Sequence, residues 1–386
     1  MSEKSVSEKT VSEKTVSEKT MSEKPVPKRK PEKNLASRRE FLAAGAAVTA
    51  GSTTAAKAAA SPVGAFRIDV QSHMYPRPVL DYMMTRDDLP RAYKKDGNFY
   101  TITGEWHRRV REGHMDVDTK LKSMDEAGIQ MTALSINDPG PERFGADGPK
   151  VAKLAHDFIG DIIKAHPSRF FGLATLPLQD EAASRKELDR CVDKLGFRGI
   201  LLYSNLATKF PDEPQFRWLF KRAEEMDIPV LLHPAYPMTY DAVSGYYMVA
   251  GLGLMFDTTI ALARIILAGI LDEAPKLKLL CPHVGGTLPY LIGRIDHQTQ
   301  VLGRGAEHIK KPPSEYLRQI YLDTVTPIAL GIQYGLDFIG EDRLLYASDH
   351  PWVDPKLIIK NVESLKLGDA TKAKIYHDNA RRLFKL

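Results

Sequence analysis

The chain has 386 residues, of which 27% are charged and 43% are hydrophobic, and its formal net charge is +5. Residues 1–58 hold 12 Lys and Arg against 7 Asp and Glu and thus carry that whole net charge, so the neutral remainder gives no electrostatic case for nucleic-acid binding. The sequence contains no run of 18 apolar residues that would predict a membrane span. Its two cysteines, Cys191 and Cys281, are too few for a disulfide scaffold. We expect both to be buried thiols.

The first 36 residues form a polar leader built on the repeat MSEKS, VSEKT, VSEKT, VSEKT, MSEKP. It lacks aromatic side chains and is highly charged, which is typical of a disordered segment. Residues 37–60 follow, with Arg38 and Arg39, an Ala- and Gly-rich apolar stretch, and a small-x-small pattern at residues 56–58. This region resembles a twin-arginine export signal. The resemblance implies recognition by the twin-arginine export machinery and a periplasmic protein starting near Ala59. An uncleaved basic tail is the alternative.

Residues 61–386 read as one α/β domain, because short apolar segments alternate with amphipathic ones. Near-continuous apolar runs are typical of parallel strands buried on both faces. The predicted strands are residues 66–71, 131–136, 170–175, 198–203, 229–233, 277–282, 319–323 and 343–348. The clearest helical segments between them are residues 116–127, 149–166, 181–195, 214–226, 257–273 and 354–366. Eight such units predict a (β/α)8 TIM barrel. An open doubly wound sheet is the second choice, but no G-x-G-x-x-G follows the first strand.

An insertion at residues 74–115 interrupts this alternation after the first strand. Long insertions on a βα loop commonly form part of the active-site mouth or an interface. A structural cap is the other interpretation, and the sequence does not separate them.

Polar residues gather where four predicted strands end, and this is the face on which barrels of this kind carry out chemistry. These residues are Gln71 and His73 after strand one, His233 after strand five, His283 after strand six and Asp349 after strand eight. Imidazole and carboxylate form a ligand set for Zn²⁺, and also for Mn²⁺ or Fe²⁺. The pattern therefore predicts one shared divalent metal site.

These strand ends resemble those of the amidohydrolase superfamily, in the branch that contains aminocarboxymuconate semialdehyde decarboxylase and γ-resorcylate decarboxylase. The resemblance covers residues 66–386 and implies a barrel of the metal-dependent hydrolase type. It also includes the segments Phe256-Asp257-Thr258-Thr259, Pro282-His283-Val284-Gly285-Gly286, Gly293-Arg294-Ile295-Asp296 and Asn379-Ala380-Arg381-Arg382-Leu383-Phe384.

The resemblance implies roles for individual residues. His73, His233 and Asp349 would bind one divalent metal, Zn²⁺ first and Mn²⁺ second, and His283 would lie beside the metal-bound water or substrate. Arg294 would contact a substrate carboxylate, with a surface salt bridge as its alternative. A homo-oligomer is also implied.

Gln71 departs from the pattern, since His or Glu usually stands at that position. An amide oxygen brings no charge and is a poor ligand for a soft cation. Three interpretations follow: a site bound by His73, His233 and Asp349 with Gln71 weak or outside it, a site for a different metal, or a site that works without metal.

Three functions remain open at this point. The first is non-oxidative decarboxylation of a small aromatic or enoic carboxylic acid, with His283 or Asp349 delivering the proton. The second is metal-dependent hydrolysis of an ester, lactone or amide, with His283 as base and Asp349 as proton shuttle. The third is a barrel that binds a small molecule without catalysis.

Several other polar and aromatic residues are given ordinary roles. We expect His107, His114, His156, His166, His297, His308 and His377 to be mostly solvated or capping. Trp352 is expected to pack beside the strand end, and Asp323 to be either a partner for a ligand histidine or a loop anchor. Tyr236, Tyr240, Tyr246 and Tyr247 would suit a flat ligand, or else simple loop packing.

Overall fold

Eight parallel strand positions form the centre of the protein in a computed structural model that describes residues 66–386. The predictions for the leader at 1–36 and for the export signal at 37–60 lie outside these residues. The strands are β1 (Ile68–Asp69) and β2 (His73–Met74), which share the first position, then β6 (Met131–Ile136), β7 (Phe170–Ala174), β8 (Phe197–Tyr203), β9 (Val230–His233), β10 (Leu279–Cys281), β11 (Tyr321–Asp323) and β12 (Leu344–Leu345). Each pairs in parallel with its neighbour in chain order.

Backbone hydrogen bonds join the last strand position to the first and close the sheet. The amide of Val70 donates to the carbonyl of Tyr346 at 3.2 Å, and the amide of His73 donates to the carbonyl of His350 at 2.9 Å. The predicted (β/α)8 barrel is therefore confirmed. Every predicted strand is present, although all but the second and fourth are shorter than predicted, because chain beyond the paired residues turns out of the ladder.

Helices surround the strands and bury their outer faces, which explains why the strand sequences are apolar on both sides. Those of six residues or more are α1 (Arg77–Met84), α2 (Val117–Ala127), α3 (Gly148–Ala165), α4 (Glu181–Lys194), α5 (Arg217–Glu225), α6 (Leu254–Leu267), α7 (Leu288–Asp296), α8 (Ala329–Ile339), α9 (Pro355–Ser364) and α10 (Asn379–Phe384). Cys191 and Cys281 are buried and unpaired, as predicted.

The insertion holds α1 and a separate antiparallel sheet of β3 (Arg91–Lys95), β4 (Asn98–Thr103) and β5 (Trp106–Val110). Asp96 and Gly97 make the turn between the first two of these strands with φ angles of 49° and 76°. Trp106 and Arg108 on β5 line a cavity at the end of the barrel. The insertion thus forms part of the cavity mouth, which was one of its two interpretations.

One continuous helical run, Gly245–Leu267, is long and apolar enough by composition to cross a membrane. Half of its most apolar window is buried inside the protein, and core helices of soluble proteins meet the same criterion. Asp257 and Thr258 lie within its buried face. The absence of a stable membrane span stays a prediction.

Candidate metal centre and substrate cavity

The barrel brings three of the predicted ligands together at the carboxyl ends of its strands. His73 lies in β2, His233 ends β9 and Asp349 follows β12. One ligand atom from each lies within 4.8 Å of the others. This spacing lets a single cation contact all three.

Hydrogen bonds fix the orientation of both imidazoles. His73 Nδ1 lies 2.9 Å from the hydroxyl of Ser135, and its Nε2 lies 3.1 Å from Asp349 Oδ1. His233 Nδ1 donates to the carbonyl of Pro234 at 2.8 Å, so its Nε2 carries the lone pair. That Nε2 atom is buried and has no hydrogen-bond partner among the described residues. A metal ligand needs such a neutral, deprotonated nitrogen.

Gln71 is fully buried beside Asp349. Its amide nitrogen donates to Asp349 Oδ1 at 3.1 Å, while its Oε1 is buried without a partner in the described part of the chain. The cluster therefore contains two orphaned buried acceptors, His233 Nε2 and Gln71 Oε1. Because buried polar atoms are nearly always bonded, these residues fit a bound divalent cation.

Charge in the cluster is concentrated on Asp349. Burial favours a higher pKa for its carboxyl, but the nearby imidazoles of His283 and His73 outweigh burial and hold the pKa well below its usual range. Burial lowers the pKa of His73, although Asp349 opposes the shift. Burial, and then the nearby His73, place the pKa of His233 well below its usual value. The result is one carboxylate surrounded by neutral nitrogen donors, as metal ligation requires.

His283 lies on a tight turn after β10, in the short helix Pro282–Gly285, with a positive φ of 54°. Its backbone amide donates to Asp323 Oδ1 at 2.8 Å, and Val325 donates to the same oxygen at 3.0 Å. Asp323 is therefore a loop anchor, one of the two roles expected for it. This anchoring places His283 Nε2 3.7 Å from Asp349 Oδ2 at the cavity wall. Burial alone lowers the pKa of His283, but Asp349 raises it overall.

Asp257 of the Phe-Asp-Thr-Thr segment holds the loop that follows His233. Its Oδ2 accepts from the hydroxyl of Ser204 and from Asn205 Nδ2 at 2.7 Å, and its Oδ1 accepts from the amide of Met238 at 3.1 Å. The carboxylate is fully buried and does not line the cavity. The segment thus positions the β9 loop.

Lys120, which was not expected at the site from the sequence, lies beneath the cluster on α2 and is 1% exposed. Its Nζ donates to the hydroxyl of Ser72 and to His350 Nδ1 at 3.1 Å, which joins the two strand ends that carry His73 and Asp349. The available signal was its spacing, since it shares the buried helical face of Met124 and Ala127.

A cavity of about 760 Å³ opens in front of the cluster. His233, His283 and Asp349 form one part of its wall. The aromatic side chains in the lining are Trp106, Tyr290, Tyr334 and Trp352. Of the two interpretations of the loop tyrosines, the flat ligand is corrected and loop packing holds. Tyr236, Tyr240, Tyr246 and Tyr247 are not in the lining, and the last two are 96% and 97% exposed because they project from a surface turn.

The prediction that Arg294 contacts the substrate is also corrected. It is exposed on α7 and does not line the cavity, because the side chains of that helix that reach the lining lie at its start, Pro289 and Tyr290. The arginine that lines the cavity is Arg108 of the insertion, which the sequence alone did not single out.

Two histidines expected to be solvated are fully buried instead. His156 bonds Glu187 through Nδ1 at 2.7 Å and accepts from the amide of Thr175 through Nε2 at 3.0 Å, which makes it a satisfied core histidine. His114 lies 4.2 Å from Trp352, centroid to centroid, in the wall behind the cavity. Trp352 therefore packs as expected and also lines the cavity.

Comparisons with known proteins agree with this arrangement. The family model described as amidohydrolase matches residues 68–386. γ-Resorcylate decarboxylase of Rhizobium sp. (strain MTP-10005) is 30% identical over 323 residues, which cover 77% of this chain and 95% of that protein.

Two solved structures are similar as well. 5-Carboxyvanillate decarboxylase LigW from Sphingomonas paucimobilis matches with a TM-score of 0.73 and 25% identity, covering 83% of this chain and 99% of that one. Dihydroxybenzoic acid decarboxylase from Polaromonas sp. JS666, with bound manganese and an inhibitor, 2-nitroresorcinol, matches with a TM-score of 0.70 and 27% identity, covering 83% and 97%. By the match along nearly the whole barrel, the chain belongs to the amidohydrolase family.

Proposed function

We propose that the chain is a metal-dependent carboxy-lyase that removes carbon dioxide, without oxidation, from a small aromatic or enoic carboxylic acid. The observation that carries this proposal is the cluster of His73, His233 and Asp349, which faces an aromatic-walled cavity together with His283. The relatives and solved structures named above are decarboxylases of aromatic acids, which supports the lyase over the hydrolase.

The residues of the chain divide the chemistry among them. His73, His233 and Asp349 would hold the divalent cation, which supplies Lewis-acid stabilisation of charge on the substrate when bound. His283 or Asp349 delivers a proton to the carbon that carries the carboxylate, and the carbon–carbon bond then breaks to release carbon dioxide. Trp106, Trp352, Tyr290 and Tyr334 line the cavity and would exclude water from the bound substrate.

The direct test is release of labelled carbon dioxide from carboxyl-labelled aromatic acids by the metal-loaded protein. We expect His283→Asn and Asp349→Asn each to lower kcat by about 100-fold or more, the size of a general acid–base contribution. His308→Asn, at an exposed site, is the control. Hydrolysis of esters or lactones without carbon dioxide release would establish the hydrolase instead, and tight binding without turnover would establish a binding protein.

The metal is proposed to be Zn²⁺ first and Mn²⁺ second. Two imidazole nitrogens suit Zn²⁺, whereas the oxygens of Asp349 and Gln71 suit Mn²⁺, the ion in the Polaromonas structure. We also propose that Gln71 Oε1 completes the ligand set as a neutral oxygen.

Substitution of Gln71 tests that role. Gln71→Glu adds an anionic oxygen at the same length, so we expect metal affinity to rise by about tenfold or more, while Gln71→Leu lowers it. Metal titration by calorimetry measures both. Equal affinities for the parent and the two variants would remove Gln71 from the ligand set.

We propose that a second copy of the chain covers the exposed apolar residues beside the cavity mouth. Leu252 is 41% exposed, Tyr290 80% and Leu330 72%, and each adjoins or belongs to the cavity lining. Light scattering should show an oligomer for the parent and a smaller species for Leu330→Asp. Leu357→Asp, on α9, is the matched control because Leu357 is also an exposed leucine. A monomeric parent would contradict this proposal.

Export through the twin-arginine route is proposed from Arg38 and Arg39 alone. Fractionation of cells that express the full chain should find it in the periplasm, and Arg38→Lys with Arg39→Lys should retain it inside. Equal distribution of both forms would contradict the proposal.

A further inference from the structure

We infer that the outward-facing side of the antiparallel sheet in the insertion is a docking surface for an anionic phospholipid bilayer. This inference goes beyond the proposed function and does not depend on it, because the surface is separate from the metal cluster and from the cavity.

The pairing of the three strands defines the two faces of this sheet. Residues that lie directly opposite each other in an antiparallel pair project from the same face. One face, called the outer face from here on, therefore consists of Arg91, Tyr93 and Lys95 of β3, Asn98, Tyr100 and Ile102 of β4, and His107 and Arg109 of β5. Trp106 and Arg108 belong to the opposite face and line the cavity. A partner bound to the outer face would therefore not occupy the side chains that line the cavity.

The outer face carries positive charge without a compensating carboxylate. Arg91, Lys95 and Arg109 are exposed, and the face contains no Asp or Glu. None of these three side chains takes part in an ion pair among residues 66–386, where the ion pairs of the insertion are Arg77–Asp81, Arg86–Asp88 and Arg86–Asp147. The three cations are thus available to an anionic partner.

The charge is also concentrated within the whole molecule. Residues 91–111 hold six Lys and Arg against two acidic residues, Asp96 and Glu105, which both lie in turns. Because residues 59–386 are neutral overall, the rest of that segment carries a net charge of −4. The sheet is therefore a local positive region on a slightly acidic body, and such a region attracts anionic surfaces.

Two tyrosines at the centre of the outer face favour a bilayer over a nucleic acid. Tyr93 and Tyr100 are half-buried and stack on each other with their ring centroids 5.1 Å apart and an angle of 10° between the rings. The hydroxyl of Tyr93 lies 3.1 Å from His107 Nδ1. Single-stranded nucleic acids gain most of their aromatic contacts from free ring faces, but these two rings cover each other. Tyrosines between basic side chains are instead typical of the interface between a bilayer and water.

The geometry lets all three cations approach a flat surface together. Arg91 and Lys95 lie four residues apart on one strand, or about 14 Å at about 3.4 Å per residue, and Arg109 lies on β5 across the sheet. Asn98 Oδ1 accepts from Arg109 Nε at 3.1 Å and from its Nη2 at 2.6 Å, which fixes this side chain along the face. Leu89, two residues before Arg91, is 47% exposed and supplies an apolar side chain beside the cations.

The test measures co-sedimentation of the metal-loaded full chain with vesicles. One set contains equal parts of phosphatidylglycerol and phosphatidylcholine, and the other contains phosphatidylcholine alone. We expect the parent to bind the anionic vesicles at least about tenfold more tightly and to dissociate as salt is added. Arg91→Gln, Lys95→Gln and Arg109→Gln should each weaken binding about fivefold, and their combination about 100-fold, since each basic side chain near an anionic surface contributes about that factor.

A matched variant separates the outer face from net charge. Lys164→Gln, Lys186→Gln and Lys366→Gln in combination remove three exposed positive charges from other parts of the surface and should weaken binding by about twofold or less. The leader is basic as well, so the comparison is repeated in a chain with Lys28, Arg29, Lys30 and Lys33 replaced by Gln. The same ratio between parent and outer-face variant is expected there.

Three results would overturn the inference. They are equal binding to anionic and neutral vesicles, equal losses in the outer-face and matched variants, and tighter binding to oligothymidylate than to anionic vesicles with the same dependence on Arg91, Lys95 and Arg109. The last result would identify a nucleic-acid surface instead. None of these measurements requires turnover, so they decide the inference even if the chain releases no carbon dioxide.

Discussion

Two buried atoms of the strand-end cluster, His233 Nε2 and Gln71 Oε1, lack partners in the described part of the chain. Each unmet buried acceptor costs about 1–3 kcal/mol, so the folded protein without a cation carries a local penalty. A bound metal removes that penalty and stabilises the folded state by mass action. These two unpaired acceptors are therefore the strongest single indication that the site binds a cation.

Glu142 makes the stability of the protein depend on pH. It is 7% exposed, and burial raises the pKa of its carboxyl to about 8 despite nearby Arg143. Between its ordinary pKa of 4.5 and about 8, the folded state holds a proton that the unfolded state has lost. The contribution of Glu142 to stability is therefore present at low pH and declines as the pH rises through this window.

We expect Glu142→Gln to remove this decline, so that its free energy of unfolding exceeds that of the parent at pH 8 by a few kcal/mol and approaches it near pH 5. Urea denaturation across that range measures the difference. A constant offset between the two proteins at all pH values would show that Glu142 keeps an ordinary pKa.

The candidate metal ligands could be brought together from the sequence because each lies at the end of a recognisable buried strand. The place of Arg108 in the cavity wall could not be predicted, because this residue reaches the cavity from an insertion whose packing no local pattern specifies. The prediction that Arg294 contacts a substrate carboxylate was wrong for the same reason. Its motif matches the family, but the direction of its side chain on α7 is set by tertiary packing.

At the scale of elements, the turn of His283 depends on close contact with helix α6. Gly286 has a φ of 64°, and a Cβ there would lie 2.6 Å from Thr259 Oγ1 and 2.9 Å from the carbonyl of Met255. Such a backbone conformation strains any other residue. Gly286 is therefore required for α6 and the turn that carries His283 to pack.

We expect Gly286→Ala to destabilise the protein by about 1–3 kcal/mol and to lower activity by displacing His283. Gly293→Ala is the matched control on α7, since a Cβ there meets nothing within 4 Å and alanine favours a helix by up to about 1 kcal/mol. Thermal unfolding and turnover of both variants check this. Equal unfolding temperatures and equal turnover of the two variants would show that Gly286 is not required for this packing.

The parallel strands were predictable as elements, since burial on both faces leaves continuous apolar runs. The antiparallel sheet of the insertion was not predicted, because its strands carry charged residues on their exposed face. The usable signal was Asp96-Gly97, a typical hairpin turn between alternating segments.

At the scale of the whole molecule, the barrel places its chemistry at one end, and the insertion supplies the wall that faces it. The barrel positions the candidate metal ligands, while the sheet of the insertion contributes Trp106 and Arg108 to the cavity wall.

We propose that His73, His233 and Asp349 hold a catalytic divalent cation. The most direct measurement is the metal content of the purified chain by elemental mass spectrometry, with carbon dioxide release assayed on the same sample. We expect about one equivalent of Zn or Mn per chain, lost together with activity in His233→Ala and kept in His308→Asn. Full metal content in His233→Ala, or undiminished turnover by metal-free protein, would contradict the account.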